Sequence, residues 1–272
     1  MSTTVQEQQV LPEVQEFLSR GPHKAVIGGQ EFTSSNGATF TTRDPGSGDT
    51  LAEVYDMQPD DVERAVDAGD LAFREAQWAR LPINERGALL HRLADAVEKH
   101  IPIIGQIEAM DAGKIYAQAQ GDVQNFVDTM RYFTDLAQHM QYRTTIAVSG
   151  HEAWTVRHPW GVCGFIFPWN FPFLLVGWGI APALAAGNTV VIKPAEDTPL
   201  SAIYLAHLAK EVGIPDGVIN VVPGIGENAG AALASNSRLE RMSFTGSPEV
   251  GRLVAESCGR NLVPVKLELG GK

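Results

Sequence analysis

Four short stretches of this chain set chemically capable side chains beside residues that stiffen or sharply turn the backbone. Near the carboxyl end, Leu267-Glu268-Leu269-Gly270-Gly271 puts a carboxylate at the end of an apolar strand, next to two glycines, where it can meet a bound small molecule. Pro168-Trp169-Asn170-Phe171-Pro172 holds Asn170 between two prolines that restrict the backbone on either side. A fixed side-chain amide is what an oxyanion hole needs, because a preorganised donor stabilises charge that develops in the transition state. The aromatic cluster that follows, Phe171, Leu175 and Trp178, reads by itself as plain core. Val190 to Glu196 ends a buried strand with Lys193 and Glu196, then opens a helix at Thr198 with Pro199 in its first turn. Open parallel sheets bind ligands beyond the carboxyl ends of their strands, so this pair is placed to touch one. An ordinary lysine–glutamate pair in a surface loop is the equal alternative.

In Phe244-Thr245-Gly246-Ser247-Pro248-Glu249, Gly246 permits a sharp turn, Ser247 is a helix N-cap, and Pro248 and Glu249 fit the first turn. Free backbone N–H groups there, with the helix dipole, form an anion site suited to a pyrophosphate; a capped helix without a ligand has the same signature. Gly224, Gly226, Ala229 and Gly230 match a dinucleotide fingerprint only weakly, since the next strand lacks the acidic residue at its end. Cys163 lies inside an apolar strand without a basic neighbour, and Cys258 shares a helix face with Val250 and Val254, so both read as core fillers. Lys266 and Glu268 share the strand face opposite Val265, Leu267 and Leu269, which leaves a mutual ion pair as the other reading of Glu268. None of the seven histidines has a zinc-like spacing, so no metal is expected.

The elements that must hold these residues are legible in the pattern. With 272 residues there is chain enough for a buried core and one to two domains. The net charge of -11 argues against non-specific binding to nucleic acid or anionic membrane. The first residues lack the basic-then-apolar run of a secretory signal, and the apolar stretch from Phe171 to Ala186 is broken by Pro172 and Pro182, so a cytoplasmic protein is expected. Residues 1–20 read as a loose arm with one amphipathic piece at Leu11, Val14, Phe17 and Leu18. Residues 21–140 read as a helical part. One helix is capped by Asp60 or Asp61, with a stripe of Val62, Ala65, Val66 and Leu71, and others run from Asn84 to His100 and from Gln118 to His139. Residues 141–158 alternate around Ser149-Gly150 as a protruding β-hairpin. Residues 159–272 alternate apolar strands with helices, which predicts an α/β, Rossmann-like, doubly wound parallel sheet.

Taken in order, the motifs at Pro168–Pro172, Lys193–Glu196, Phe244–Ser247 and Leu267–Lys272 resemble those of the aldehyde dehydrogenases, from about Lys24 to the last residue. The resemblance implies NAD as cofactor, held by Ile166, Pro168, Trp169, Lys193, Glu196 and Gly226, and further on by Gly230, Phe244, Gly246, Ser247 and Leu269. It assigns Lys193 and Glu196 to the adenosine ribose, where a carboxylate repels a 2'-phosphate and disfavours NADP. The glycine turn at Gly224 then lies alongside the pyrophosphate. Asn170 would donate to the aldehyde oxygen, and Glu268 would activate water to hydrolyse a thioester. Phe171, Leu175 and Trp178 would line the substrate tunnel, and the hairpin would join copies into a homo-oligomer once a carboxyl-terminal part is present. The family's catalytic cysteine lies in a domain absent from these 272 residues, so the chain alone is expected not to oxidise aldehydes. A stand-alone NAD-binding pseudoenzyme, and a subunit completed by a separate catalytic chain, stay open as alternatives. One position departs from the pattern: Gly179 stands where many members carry a lysine held to help a proton leave.

Overall fold

The computed structural model describes residues 10–75 and 78–271, so the first nine positions of the expected arm and Lys272 lie outside it. The chain runs α1 (Pro12–Leu18), β1 (Ala25–Ile27), β2 (Gln30–Phe32), β3 (Thr39–Arg43), β4 (Thr50–Tyr55), then α2 (Pro59–Arg74), α3 (Ile83–Lys99), α4 (Ile101–Ala112) and α5 (Tyr116–His139). A hairpin, β5 (Arg143–Val148) and β6 (His151–Val156), leads to β7 (Val162–Ile166), α6 (Pro172–Ala185), β8 (Thr189–Lys193), α7 (Leu200–Glu211) and β9 (Ile219–Val221). A π-helical turn over Gly226–Gly230 continues into α8 (Ala231–Ser235), followed by β10 (Arg241–Gly246), α9 (Pro248–Arg260) and β11 (Val265–Leu269).

Seven strands form one sheet in the order β11-β10-β7-β8-β9-β1-β2. β11 through β9 are parallel, while β1 pairs antiparallel with β9 and β2 antiparallel with β1. All five residues of β8 are buried, as a strand covered on both faces requires. Strand alternation then sorts side chains between two layers. Val162, Val191, Met242 and Phe244 point to the layer of α2, α8 and α9, whose core includes Val62, Ala65, Leu233, Val254 and Cys258. Cys163, Phe165, Val190 and Ile192 point the other way, toward α6 and α7, backed by α3, α4 and α5. This is the doubly wound α/β architecture that the alternating pattern predicts, and its five parallel strands fall where the apolar runs place them.

Several local expectations change. The segment read as a loose arm contains α1, whose Val14 and Phe17 are buried in the main core. The span read as helical begins with β1 to β4; β1 is only three residues long, too short to show an alternation of its own. Gln58, not Asp60 or Asp61, caps α2, and Asp61 in the first turn accepts from the Gln58 amide at 3.0 Å. Leu71 is 55% exposed because it lies half a turn round the helix from Val62, and Gly69 and Ala72 take the buried stripe instead. Val250 is likewise exposed on α9, where Gly251, Val254 and Cys258 face the sheet. The β5–β6 hairpin forms with its turn at Ser149-Gly150 and pairs only with itself among the described residues, leaving Ile146, Val148, Trp154 and Val156 exposed.

Candidate functional site

The first turn of α6 follows directly on the Pro168–Pro172 segment, and the buried Glu108 carboxylate of α4 anchors it by accepting from the Phe173 amide at 3.3 Å. Between this helix start and the carboxyl ends of β7, β10 and β11 lies an open cavity of about 840 Å³. Asn170 and Glu268 both line it, from motifs almost a hundred residues apart in sequence. So do Phe171, Leu175 and Trp178 on one wall, and Pro168, Trp169, Gly246, Ser247 and Leu269 at its rim. Glu268 reaches it by register: Thr245 pairs with Glu268 and Ser243 with Lys266, and all four side chains face the α6 layer. Neither Asn170 nor Glu268 has a hydrogen-bonding or ion-pair partner among the described residues. The Lys266–Glu268 ion pair left open by the sequence does not form there either.

The aromatic wall is held from behind. The Trp178 indole N–H donates to Asn125 Oδ1 of α5 at 2.8 Å. Lys114 Nζ lies 4.1 Å from the centre of the Phe171 ring and is paired with Asp122 at 2.6 Å. Gly179 has a local reason. A Cβ there would stand 2.7 Å from Phe167 Cζ, in space taken by the stacked Phe165 and Phe167 rings.

A second group forms on the other face of the sheet's carboxyl edge. Register aligns Ile166 with Lys193 on one side and with Phe244 on the other. Lys193, almost fully buried, donates to Glu196 Oε2 at 2.6 Å. Burial, the largest single influence, would raise the Glu196 carboxyl, but the Lys193 ammonium and the backbone hydrogen bonds together outweigh it and hold the group below its ordinary range. The other carboxylate oxygen accepts from the Gly226 amide at 3.3 Å, so that amide is engaged by protein rather than left free for a phosphate. Gly230 packs on Ile166, where a Cβ would sit 3.9 Å from its Cδ1. Asp56 fixes the turn, accepting from the Ile225 amide at 2.8 Å and from the Asn228 side chain at 2.9 Å.

Gly246 and Ser247 stand where the two faces meet. A Cβ at Gly246 would come within 2.6 Å of the tip of the Phe244 ring, so a side chain there would have to displace that ring. Ser247 caps α9 through its hydroxyl, which accepts from the Val250 amide at 3.2 Å. Both cysteines are buried, and desolvation pushes the Cys163 thiol up to about 12, which makes it a poor nucleophile. Among the described residues no group of three or more His, Cys, Asp or Glu is placed to hold a metal ion, and no helix is long and apolar enough to cross a membrane.

A sequence profile described as the aldehyde dehydrogenase family matches residues 32–272, which takes in all four motifs of the site. The chain belongs to the aldehyde dehydrogenase family. It is 46% identical over 252 residues to retinaldehyde dehydrogenase 3 of Mus musculus, covering 92% of this chain and 49% of that protein. It is 45% identical over 251 residues to the mitochondrial benzaldehyde dehydrogenase of Antirrhinum majus, covering 92% of this chain and 47% of that one. Among solved structures, the NAD+ complex of the aldehyde dehydrogenase from Bacillus cereus matches with a TM-score of 0.94 at 39% identity, over 97% of this chain and 54% of the other. The chain thus spans about half the length of the curated relatives it matches.

In this aldehyde dehydrogenase chain, the supporting residues are those that sequence reading overlooked. Asp56, Lys114, Asn125 and the buried pair Glu108 and Asp111 touch the site through backbone amides or through other side chains. Only Glu108 and Asp111 left a trace in the sequence: two carboxylates three residues apart in a helix whose one other polar side chain is Gln106, which burial makes costly unless each has a purpose.

Proposed function

We propose that this chain is the cofactor-binding portion of an enzyme that oxidises an aldehyde to a carboxylic acid with NAD. One observation carries the reading: a single cavity gathers Asn170, Glu268 and the Phe171, Leu175 and Trp178 wall, with the Lys193–Glu196 pair just over the sheet edge. The residues suit a nicotinamide dinucleotide. Glu196, kept ionised by Lys193, accepts from ribose hydroxyls and repels a 2'-phosphate, which disfavours NADP. The start of α9 faces the pyrophosphate with its helix dipole and with the Glu249 amide, since Pro248 has no N–H and Ser247 takes the Val250 amide. Ile166, Phe244 and Leu269 give the cofactor apolar contact along the strand ends. When bound, NAD supplies the hydride acceptor.

At the reacting end, the Asn170 amide donates to the aldehyde oxygen as negative charge develops on it. The Glu268 carboxylate takes a proton from the water that releases the acid. The attacking thiol is neither Cys163 nor Cys258, both of which are buried. The exposed apolar residues of the β5–β6 hairpin serve as a contact between copies, giving a homo-oligomer.

Titration calorimetry of the chain with NAD and NADP tests the reading. NAD binds, NADP binds at least about tenfold more weakly, and Glu196→Gln narrows the gap. A chain that binds neither nucleotide, or that forms NADH from an aldehyde unaided, is not what is proposed.

A further inference from the structure

The main cavity and an adjoining one of about 310 Å³ share four lining residues, Trp178, Gly179, Ser243 and Lys266. Gly179 has no side chain, Ser243 a small one, and Lys266 a flexible one at an exposed strand position. Trp178 is thus the broad, stiff side chain that stands between the two spaces. Behind it the smaller cavity is lined mainly by apolar groups, among them Trp160, Phe165, Pro182 and Met242.

Burial does not hold Trp178 in this place, because 53% of it is exposed. Its anchor comes from α5. The two helices come close at Gly177, where a Cβ would stand 2.7 Å from Phe126 Cδ2 and 3.1 Å from Phe126 Cα, so a side chain there would push α5 back. The neighbours of this close approach, Asn125 on α5 and Trp178 on α6, are brought side by side. An indole N–H can only donate, and it finds its acceptor in Asn125 Oδ1 at 2.8 Å. The Thr129 hydroxyl, one turn along α5, donates to the same oxygen at 3.3 Å and holds the carboxamide in that orientation. Trp169, 59% exposed at the rim of the same cavity, has no hydrogen-bond partner among the described residues. One exposed tryptophan of the cavity is tethered and the other is not.

We propose that Asn125 is a positioning residue that sets which ligands the cavity accepts, by holding Trp178 as the partition between the two spaces. This rests on the reading of the main cavity as the aldehyde site. With the indole tethered, a ligand lies between the Phe171, Leu175 and Trp178 wall and the strand ends of β10 and β11, and its bulk is confined to the main cavity. With the indole released, the ring turns about its Cα–Cβ bond and the two cavities join. A second fused ring then finds room beside Trp160, Phe165 and Met242. The parent chain therefore favours single-ring or unbranched aldehydes over fused-ring ones. A hydrogen bond of this kind favours the tethered ring by roughly three- to tenfold, which sets the size of every effect below.

The test uses the 272-residue chain and two neutral alcohols, benzyl alcohol and 2-naphthalenemethanol, which report on cavity size without nucleotide or turnover. NMR follows the Trp178 indole N–H, assigned by its loss in Trp178→Phe, and gives both dissociation constants from shifts of cavity-lining amides. In Asn125→Leu the indole hydrogen exchanges with solvent roughly three- to tenfold faster, and the ratio of the two constants moves toward the naphthalene alcohol by a similar factor. Asn125→Asp keeps an acceptor in place and keeps the parent ratio. Placed on Trp178→Ala, Asn125→Leu moves the ratio no further, because no ring is left to release. A general loosening of α5 would instead persist in the Trp178→Ala background. An unchanged ratio in Asn125→Leu, or an equal shift in that background, overturns the proposal, as does a chain that holds neither alcohol. A chain that binds both alcohols but no NAD would end the nucleotide reading and leave the role of Asn125 standing.

Discussion

The two faces of the sheet's carboxyl edge are finished to different degrees. On the α8 side, Lys193, Glu196, Gly226 and Asp56 engage one another and the backbone, so the surface is set before any ligand arrives. On the α6 side, Asn170 and Glu268 project into a cavity with no partner among the described residues. A recognition surface gains from paired groups, because little ordering is left to do when the ligand docks. Groups that must act on a reacting atom gain from being unsatisfied, because their hydrogen-bonding capacity is kept for it. A single helix serves both halves: α4 sends Glu108 to the start of α6 and Asp111 to the start of α7, which follows Glu196.

The sharpest way to break this contrast is Asn170→Ala. If the free amide acts on the developing oxyanion, aldehyde oxidation in the complete enzyme falls roughly a hundred- to a thousandfold. NAD affinity of the chain stays as it was, because the paired face is untouched. Steady-state NADH formation beside a nucleotide titration reads both effects, and a comparable loss of NAD affinity would mean that the two faces are not separate.

Next is the shared support. Burial pushes the Glu108 carboxyl up to about 7 from an ordinary 4.5, so the folded chain holds that proton more tightly than the unfolded one. Its contribution is fully present below the unfolded value and is lost as pH rises through the folded one, a change of up to about 3 kcal/mol. His23 acts in the opposite sense. Burial lowers it to about 4, so the stability of its neutral form is lost as pH falls from the ordinary 6.5. The two windows overlap, and only the difference between parent and Glu108→Gln isolates the glutamate. Urea unfolding at about pH 5 and about pH 8 should show the variant losing less stability than the parent on going to the higher pH. Parallel pH profiles for the two would show that Glu108 keeps an ordinary carboxyl.

The smallest effect lies at the junction. Ser247→Ala removes the cap of α9 and costs about 1 kcal/mol of stability. The same change weakens NAD binding if the α9 start faces the pyrophosphate. A stability loss without any change in affinity would make Ser247 a cap alone.

How much was legible differs between scaffold and support. The five parallel strands, the hairpin turn at Ser149-Gly150 and the Ser247 cap follow from patterns only a few residues long, and the structure forms each of them. Leu71 and Val250 were misplaced because apolar character alone does not say which side of a helix meets a sheet. β1 and β2 went unread because three-residue strands carry no measurable period, and only pairing with β9 gives β1 its place.

The sequence by itself determined the chemical inventory and its local setting. Asn170 lies between prolines, Glu268 at a strand end, Lys193 three residues from Glu196, and Ser247 behind Gly246, each within the reach of a single turn. The tertiary structure decided which of these meet. Parallel register set Glu268 beside Thr245 and on the same cavity as Asn170, and alternation sent Lys193 to one face and Lys266 to the other. It also put Phe167 into the space that a side chain at Gly179 would need. Such outcomes depend on contacts between residues far apart in the chain. Their energies come from filling shared volume, and no local stretch of sequence contains both sides of that volume.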